Sequence, residues 1–348
     1  MAIKKNALIT GIAGQDGSLL ARSLLEDGFQ VSGTFRRGSE NNLWRLKELG
    51  IQEKLDLYEY EIGSSHADLS KILSNNFSYI FHLAGDSYTH DSFRHPFKTI
   101  STNLMGCLEI IENSKIYSPN SKIFIACSSE IFGNQIVSTM LVDEESNRNP
   151  LNPYGVSQSA ILDLCKLYRS QNEQFVSVGI LFNHESEFRS PQFLTRKISI
   201  GLASIKMGSK KAIKLGNLDA SRDWGSAEEY VHVFRQILSS STPDDYILAT
   251  GKSTKVRDII LISCLAMGFD PEFVGEGLNE ICIDRPSGKK LIEVSPSYLR
   301  KNETPCLVGS TNKIQNQIGW SAQVPISEVI EKICLTELKR FQSNIDLN

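Results

Sequence analysis

Ala7-Leu8-Ile9-Thr10-Gly11-Ile12-Ala13-Gly14-Gln15-Asp16-Gly17 is a short apolar run that breaks into a glycine-rich turn, and Ser18–Leu25 continues it with helical spacing. Gly11, Gly14 and Gly17 stand three apart. Such glycines let a backbone turn tightly, approach a pyrophosphate and pack a helix on the strand behind it, with the helix N-terminus facing the anion. A glycine trio alone also occurs in purely structural turns. Here it lies between a strand and a helix, where dinucleotide binding requires it. Gln15 and Asp16 belong to the same turn and count with it as cofactor-site residues.

Outward from that turn the chain alternates. Ala7–Thr10, Gln30–Thr34, Leu55–Tyr60, Tyr79–Leu83, Ile123–Cys127 and Phe175–Leu181 read as strands. Leu19–Glu26, Leu69–Leu73, Asn103–Lys115 and Ser157–Ser170 carry apolar residues at helical spacing. Strand alternating with helix predicts a doubly wound α/β fold, Rossmann-like, with a parallel sheet. Beyond about Phe182 the alternation blurs, which predicts a smaller C-terminal α/β substrate lobe. The expected division is 1–181 plus about 219–245 for the dinucleotide domain, with 182–218 and 246–348 forming the second lobe.

Composition excludes several function classes. The 348 residues hold 37 Lys plus Arg against 40 Asp plus Glu, a net charge of −3, so no basic field invites nucleic acid or an anionic membrane. No apolar run approaches the ~20 residues of a membrane span, and the N-terminus lacks the pattern of a secretory signal. The 7 cysteines are scattered and never spaced as CxxC, which reads as buried thiols in a reducing cytoplasm rather than a metal site or disulfide frame.

Gly33-Thr34-Phe35-Arg36-Arg37-Gly38-Ser39 closes the second strand without a carboxylate. An NAD site places an acid there for the ribose 2′-hydroxyl; Arg36 and Arg37 suit a 2′-phosphate, so the expected cofactor is NADP. A solvated basic turn is the bland reading of the same residues. His82-Leu83-Ala84-Gly85-Asp86-Ser87 and Cys127-Ser128-Ser129-Glu130 end the fourth and fifth strands, on the edge where doubly wound sheets bind ligands. Asn152-Pro153-Tyr154-Gly155-Val156-Ser157-Gln158 opens a helix, and Tyr154 and Gln158, four apart, share one face of it.

These segments resemble the extended short-chain dehydrogenase/reductases and, within them, the GDP-mannose 4,6-dehydratases. The likeness continues through Gly179–Ser186, Thr195-Arg196-Lys197-Ile198, Leu215–Ala220, Arg222-Asp223-Trp224-Gly225 and Gly319-Trp320, nearly the whole chain. It implies a nucleotide-sugar 4,6-dehydratase, a hydro-lyase using NADP without net redox change. Oxidation at C4 of the hexose acidifies the C5 proton, water leaves from C6, and the stored hydride returns to C6. By position, Tyr154 is the redox base, Glu130 the C5 acid/base, and Ser128 the donor to the C4 oxygen in place of the usual Thr. The resemblance further implies Leu83, His184 and Arg189 at the cofactor. It puts Ser87, Asn183, Lys197, Asn217, Arg222, Arg300 and Glu303 at the GDP-sugar. A homo-dimer or homo-tetramer also follows, with the 36–42 loop reaching a neighbouring subunit.

One departure matters most. Gln158 stands where the family has the Lys of Tyr-x-x-x-Lys. A unit charge ~4–5 Å from a phenolate, at an effective dielectric near ~20, is worth about 3–4 kcal/mol, or roughly two pKa units. Without it Tyr154 is expected near the unperturbed value of about 10. Asp86 also brings a carboxylate to the sugar side. Two other functions fit the same residues: a nucleotide-sugar oxidoreductase or epimerase, which needs no C5 base at Glu130, and a catalytically weakened cofactor-binding homologue.

Overall fold

The computed structural model describes residues 5–36, 38, 43–63, 66–133, 141–172, 174–299 and 306–343. Strands β1 (Asn6–Thr10), β2 (Gln30–Phe35), β3 (Asp56–Glu59), β4 (Tyr79–His82), β5 (Lys122–Ser128), β6 (Val176–Leu181) and β7 (Asp245–Leu248) form one sheet. Their order is β7-β6-β5-β4-β1-β2-β3, and every pairing is parallel. The order reverses between β1 and β4, which opens a ligand crevice at the carboxyl ends of those strands. Thr10 lies opposite His82 there, and Ser128 opposite Leu181.

Both faces of the sheet are covered, so its strands are apolar throughout and successive residues enter different cores. Ala7, Ile9, Phe81 and Phe124 pack with Leu19, Leu20 and Leu24 of helix Gln15–Glu26 and with Val233, Phe234 and Ile237 of helix Ala227–Ser239. Leu8, Ile80, Ile123 and Ile125 pack on the other side with Cys107, Ile110 and Ile111 of helix Gly106–Tyr117 and Ile161, Leu162 and Cys165 of helix Pro153–Asn172.

Several boundaries differ from the periodicity. The first helix begins at Gln15, inside the turn, because its first N–H groups need no apolar face to form. The helix expected over 103–115 is Gly106–Tyr117, preceded by a π-helical turn, Ser101–Met105, and a short helix, Pro96–Ile100. Residues 246–248 belong with the large sheet, since all of Asp245–Leu248 pairs with β6. Helix Asn312–Ile318 also returns to that side: Ile314 joins the core of Phe234, and the Tyr246 hydroxyl donates to Gln317 Oε1 at 2.9 Å.

The second lobe has its own core, built by helices Leu194–Lys206, Val256–Ala266 and Ile326–Gln342 against a four-stranded sheet. A three-stranded sheet of 183–185, 221–226 and 253–255 sits at the junction. A buried cation cluster also ties the C-terminal helix to the large lobe. The guanidiniums of Arg45, Arg340 and Arg196 lie 4.6, 5.2 and 5.5 Å from the Trp44 ring. Glu337 binds Arg196 at 2.5 Å and also Arg340, and Arg340 reaches Glu48 at 2.6 Å.

Candidate active site

The crevice opens into a cleft of about 1730 Å³ running from the glycine turn to the second lobe. Gly11 has φ 74°, and a Cβ on it would lie 2.9 Å from the Ala84 backbone nitrogen, so the turn is packed directly against the end of β4. A Cβ on Gly17 would meet the Gly11 carbonyl oxygen at 2.4 Å. Gly14 differs: its only near neighbour would be Gly11 O at 3.2 Å, which leaves its backbone bare toward the cleft. That cradle, with the free N–H groups of the following helix, fits a pyrophosphate.

The side chains of the turn bond to one segment of the protein, 182–190. Gln15 Nε2 donates to His184 O at 3.2 Å, and Ser186 Oγ donates to Gln15 Oε1 at 2.8 Å. Asp16 Oδ2 accepts from His184 Nε2 at 2.9 Å, and Arg45 bridges Ala13 O and Phe188 O. Burial is the largest influence and would raise the Asp16 carboxyl, but the His184 charge, the hydrogen bonds from His184 and Gln15, and the Arg189 charge together bring it down to about 2. Arg36 is exposed at the end of β2 on the cleft wall, and Leu83 lines the cleft beside the turn. Arg37 lies outside the described residues, as does most of the 36–42 loop.

Ser128, Glu130, Tyr154 and Gln158 all face the cleft. The helix carrying Tyr154 starts against the end of β5. A Cβ on Gly155 would fall 2.6 Å from Glu130 O, so only glycine allows that approach. Asn152 binds both partners: its Nδ2 donates to Glu130 Oε2 at 2.8 Å, and its Oδ1 accepts from the Gly155 amide at 2.8 Å. Ser128 Oγ accepts from the Glu130 amide at 3.2 Å and hydrogen-bonds the Tyr154 phenol.

Burial pushes the Tyr154 phenol well above its ordinary value, further than the loss of the family Lys alone implied. Ser128 and the Arg189 guanidinium act against that rise, while the Glu130 carboxylate adds to it. Gln158 is 5% exposed, and its Oε1 has no hydrogen-bond partner among the described residues. A buried, unpaired carbonyl beside Tyr154 fits a ligand that donates to it, such as a ribose hydroxyl.

Arg189 is held over the Phe193 ring at 3.8 Å and lies 3.6 Å from Glu185. Of the expected substrate residues, Ser87, Asn183, Lys197, Asn217 and Arg222 reach the same cleft. Lys197 Nζ sits 3.5 Å over the Tyr298 ring and donates to Lys214 O at 2.6 Å, and Arg222 donates to Ser221 O at 2.7 Å. Arg300 and Glu303 lie outside the described residues.

Besides Asn152, the cleft residues outside the expected set include Asn103 and Thr10. Asn103, in the π-helical turn, accepts from the Asp86 amide at 2.7 Å and donates to Asp86 O and Ser157 Oγ at 3.1 and 3.2 Å. It thereby joins the end of β4 to the Tyr154 helix; an unusual turn of this kind leaves no periodic signal. Thr10 Oγ1 accepts from the Ala84 amide and shares a hydrogen bond with His82 Nδ1 at 2.8 Å. Burial pushes His82 down to about 4, which keeps it neutral.

The family model described as GDP-mannose 4,6 dehydratase matches residues 8–333. A GDP-mannose 4,6-dehydratase of Sinorhizobium fredii is 34% identical over 94% of this chain and 95% of its own length. One of Sordaria araneosa is 34% identical over 97% of this chain; the chain spans 62% of that longer relative. Among solved structures, dTDP-glucose 4,6-dehydratase of Bacillus anthracis in complex with NAD has a TM-score of 0.78 at 16% identity, covering 99% of this chain and 98% of that one. The structure of RMD from Pseudomonas aeruginosa complexed with NADPH scores 0.75 at 19% identity, covering 97% of this chain and 100% of that one.

Proposed function

The chain belongs to the GDP-mannose 4,6-dehydratase family and is a nucleotide-sugar 4,6-dehydratase with a nicotinamide cofactor, and from that premise we propose how its own residues carry the reaction. The cofactor, when bound, would supply reversible hydride acceptance with no net redox change. Tyr154 takes the C4 hydroxyl proton, and Ser128 donates to the C4 oxygen. Glu130 removes the C5 proton made acidic by the 4-ketone and hands a proton to the hydroxyl leaving C6. Gln158 would accept from the nicotinamide ribose, and the turn of Gly11, Gly14 and Gly17 would hold the pyrophosphate.

Arg36 favours NADP over NAD, since β2 ends without a carboxylate. Asn183, Lys197, Asn217 and Arg222 hold the GDP end of the sugar nucleotide. A second copy of the chain is the expected partner. Phe97 is 86% exposed and Phe93 65%, and Met105, Val156 and Leu167 are also exposed on neighbouring helical segments, apolar surface that suits a subunit contact. No helix among the described residues is long and apolar enough to cross a membrane, and all 7 cysteines are free thiols, which suits the cytoplasm.

The observation that carries the reading is Asn152, which caps the Tyr154 helix and grips the Glu130 carboxylate at once. An epimerase has no use for a carboxylate fixed beside its tyrosine. Incubation with GDP-mannose and catalytic NADP, without added reductant, gives a product lighter by one water in mass spectrometry. A product of unchanged mass but altered sugar configuration overturns the elimination.

A further inference from the structure

His184 uses both of its ring nitrogens inside the protein. Nδ1 lies 2.7 Å from the Phe182 carbonyl oxygen, which can only accept, so Nδ1 carries a hydrogen. Nε2 lies 2.9 Å from Asp16 Oδ2. Asp16 Oδ1 accepts from Gln15 Nε2 at 3.0 Å, and Asp16 stands in the first turn of helix Gln15–Glu26, where a carboxylate is favoured as the anion. Both ring nitrogens therefore donate, and the ring is an imidazolium.

Resting on the reading of the cleft as a nicotinamide-dinucleotide site, we infer that His184 is a positioning residue, a buried cation that latches the phosphate-binding turn to the 182–190 segment instead of hydrogen-bonding the cofactor itself. The latch has three parallel strands of contact. His184 holds Asp16, Gln15 holds His184 O and Ser186, and Arg45 holds Ala13 O and Phe188 O. Only the first of these can titrate near neutral pH.

The groups facing the ring come from three elements. Asp16 approaches from helix Gln15–Glu26, Arg189 from the loop after His184, and Tyr230 from helix Ala227–Ser239 with its ring 5.1 Å away. Burial pushes the Tyr230 phenol far up, so it stays neutral. Burial, the largest influence, and Arg189 work against the imidazolium, but the Asp16 charge with the hydrogen bonds to Asp16 and the Phe182 carbonyl together raise His184 above its ordinary value. A raised folded value contributes stability in full below the ordinary ~6.5, and that contribution is lost as pH rises through the raised value. The turn should therefore loosen on the alkaline side and hold NADP(H) less tightly.

Two measurements test this. Long-range proton–nitrogen NMR of the histidine rings in the cofactor-free protein at pH 7.5 should show one ring protonated at both nitrogens, and His184→Asn should remove that signal. NADPH fluorescence titration between pH 7 and 10 should show affinity falling by about tenfold per pH unit above the His184 value, and Asp16→Asn should move that fall to lower pH. Binding of NADPH with a neutral His184, or a binding profile that Asp16→Asn leaves in place, overturns the latch. Failure of NADPH to bind at any pH overturns the cofactor reading and the role of the latch with it.

Discussion

The two ends of the cleft are built in opposite ways. At the glycine turn nearly every polar side chain is buried and paired: Gln15 and His184 are each 7% exposed, Arg45 5%, and all bond within the protein. At the far end the walls are Ser87, Asn217 and Tyr298, all exposed, together with the half-buried Lys197 and Arg222, which donate to nearby carbonyls. The cofactor end offers backbone, shaped once and locked. The far end offers exposed and half-buried side chains. A bound dinucleotide shared across many reactions suits the first; a variable sugar suits the second.

The largest expected effect breaks the locked end. Glu337 is 2% exposed and neutralises Arg196 and Arg340 against Trp44. Glu337→Ala takes the carboxylate partner from the buried Arg196 guanidinium and leaves Arg340 with Glu48 alone, and should cost about 3–5 kcal/mol, read as a lower urea midpoint. An unchanged midpoint would mean that the cluster does not hold the lobes.

The junction between the ends comes next. Gln158→Lys returns a cation to Tyr154 and should shift the alkaline-rising limb of kcat down by roughly two pH units, about 3 kcal/mol in favour of the phenolate. The native protein should gain activity steadily above pH 8, since burial holds the phenol high and its ionised form appears only as pH climbs toward that value. A native rate that is flat from pH 7 to 10 would show that Tyr154 ionisation does not limit turnover.

The smallest change sharpens the open end. Arg222→Ala should raise KM for the GDP-sugar by about tenfold, roughly the worth of one charge-assisted hydrogen bond, with a urea midpoint close to that of the native chain. Loss of stability of the Glu337→Ala size there would erase the contrast between the two ends.

Much of this was legible in the sequence. The glycine spacing, the apolar runs of β1, β4 and β5, and the Tyr154 helix all lie where the residue patterns put them, because each depends on neighbours within a few positions. The π-helical turn holding Asn103 was not legible: its apolar residues keep ordinary helical spacing, and only the register of one turn differs. The return of Asn312–Ile318 to the large core was equally hidden, since one buried Ile314 looks the same in either lobe. Side-chain use was hidden too. The resemblance points His184 and Asp16 toward the cofactor, and the folded chain turns them toward each other across 168 residues.

The sequence by itself determined the fold class, the family, the place of the glycine turn and the identity of the residues that meet in the cleft. These follow from local periodicity and from motifs only a few residues long. It also exposed the missing cation at Gln158. Only the tertiary structure decided which charge acts on Tyr154 in its place, bringing Arg189 to that phenol from beyond the end of β6. It alone decided that Asn152 would bind Glu130 while capping the tyrosine's helix. Electrostatic influence depends on distance through space and on burial, and neither is written in the order of residues along a chain.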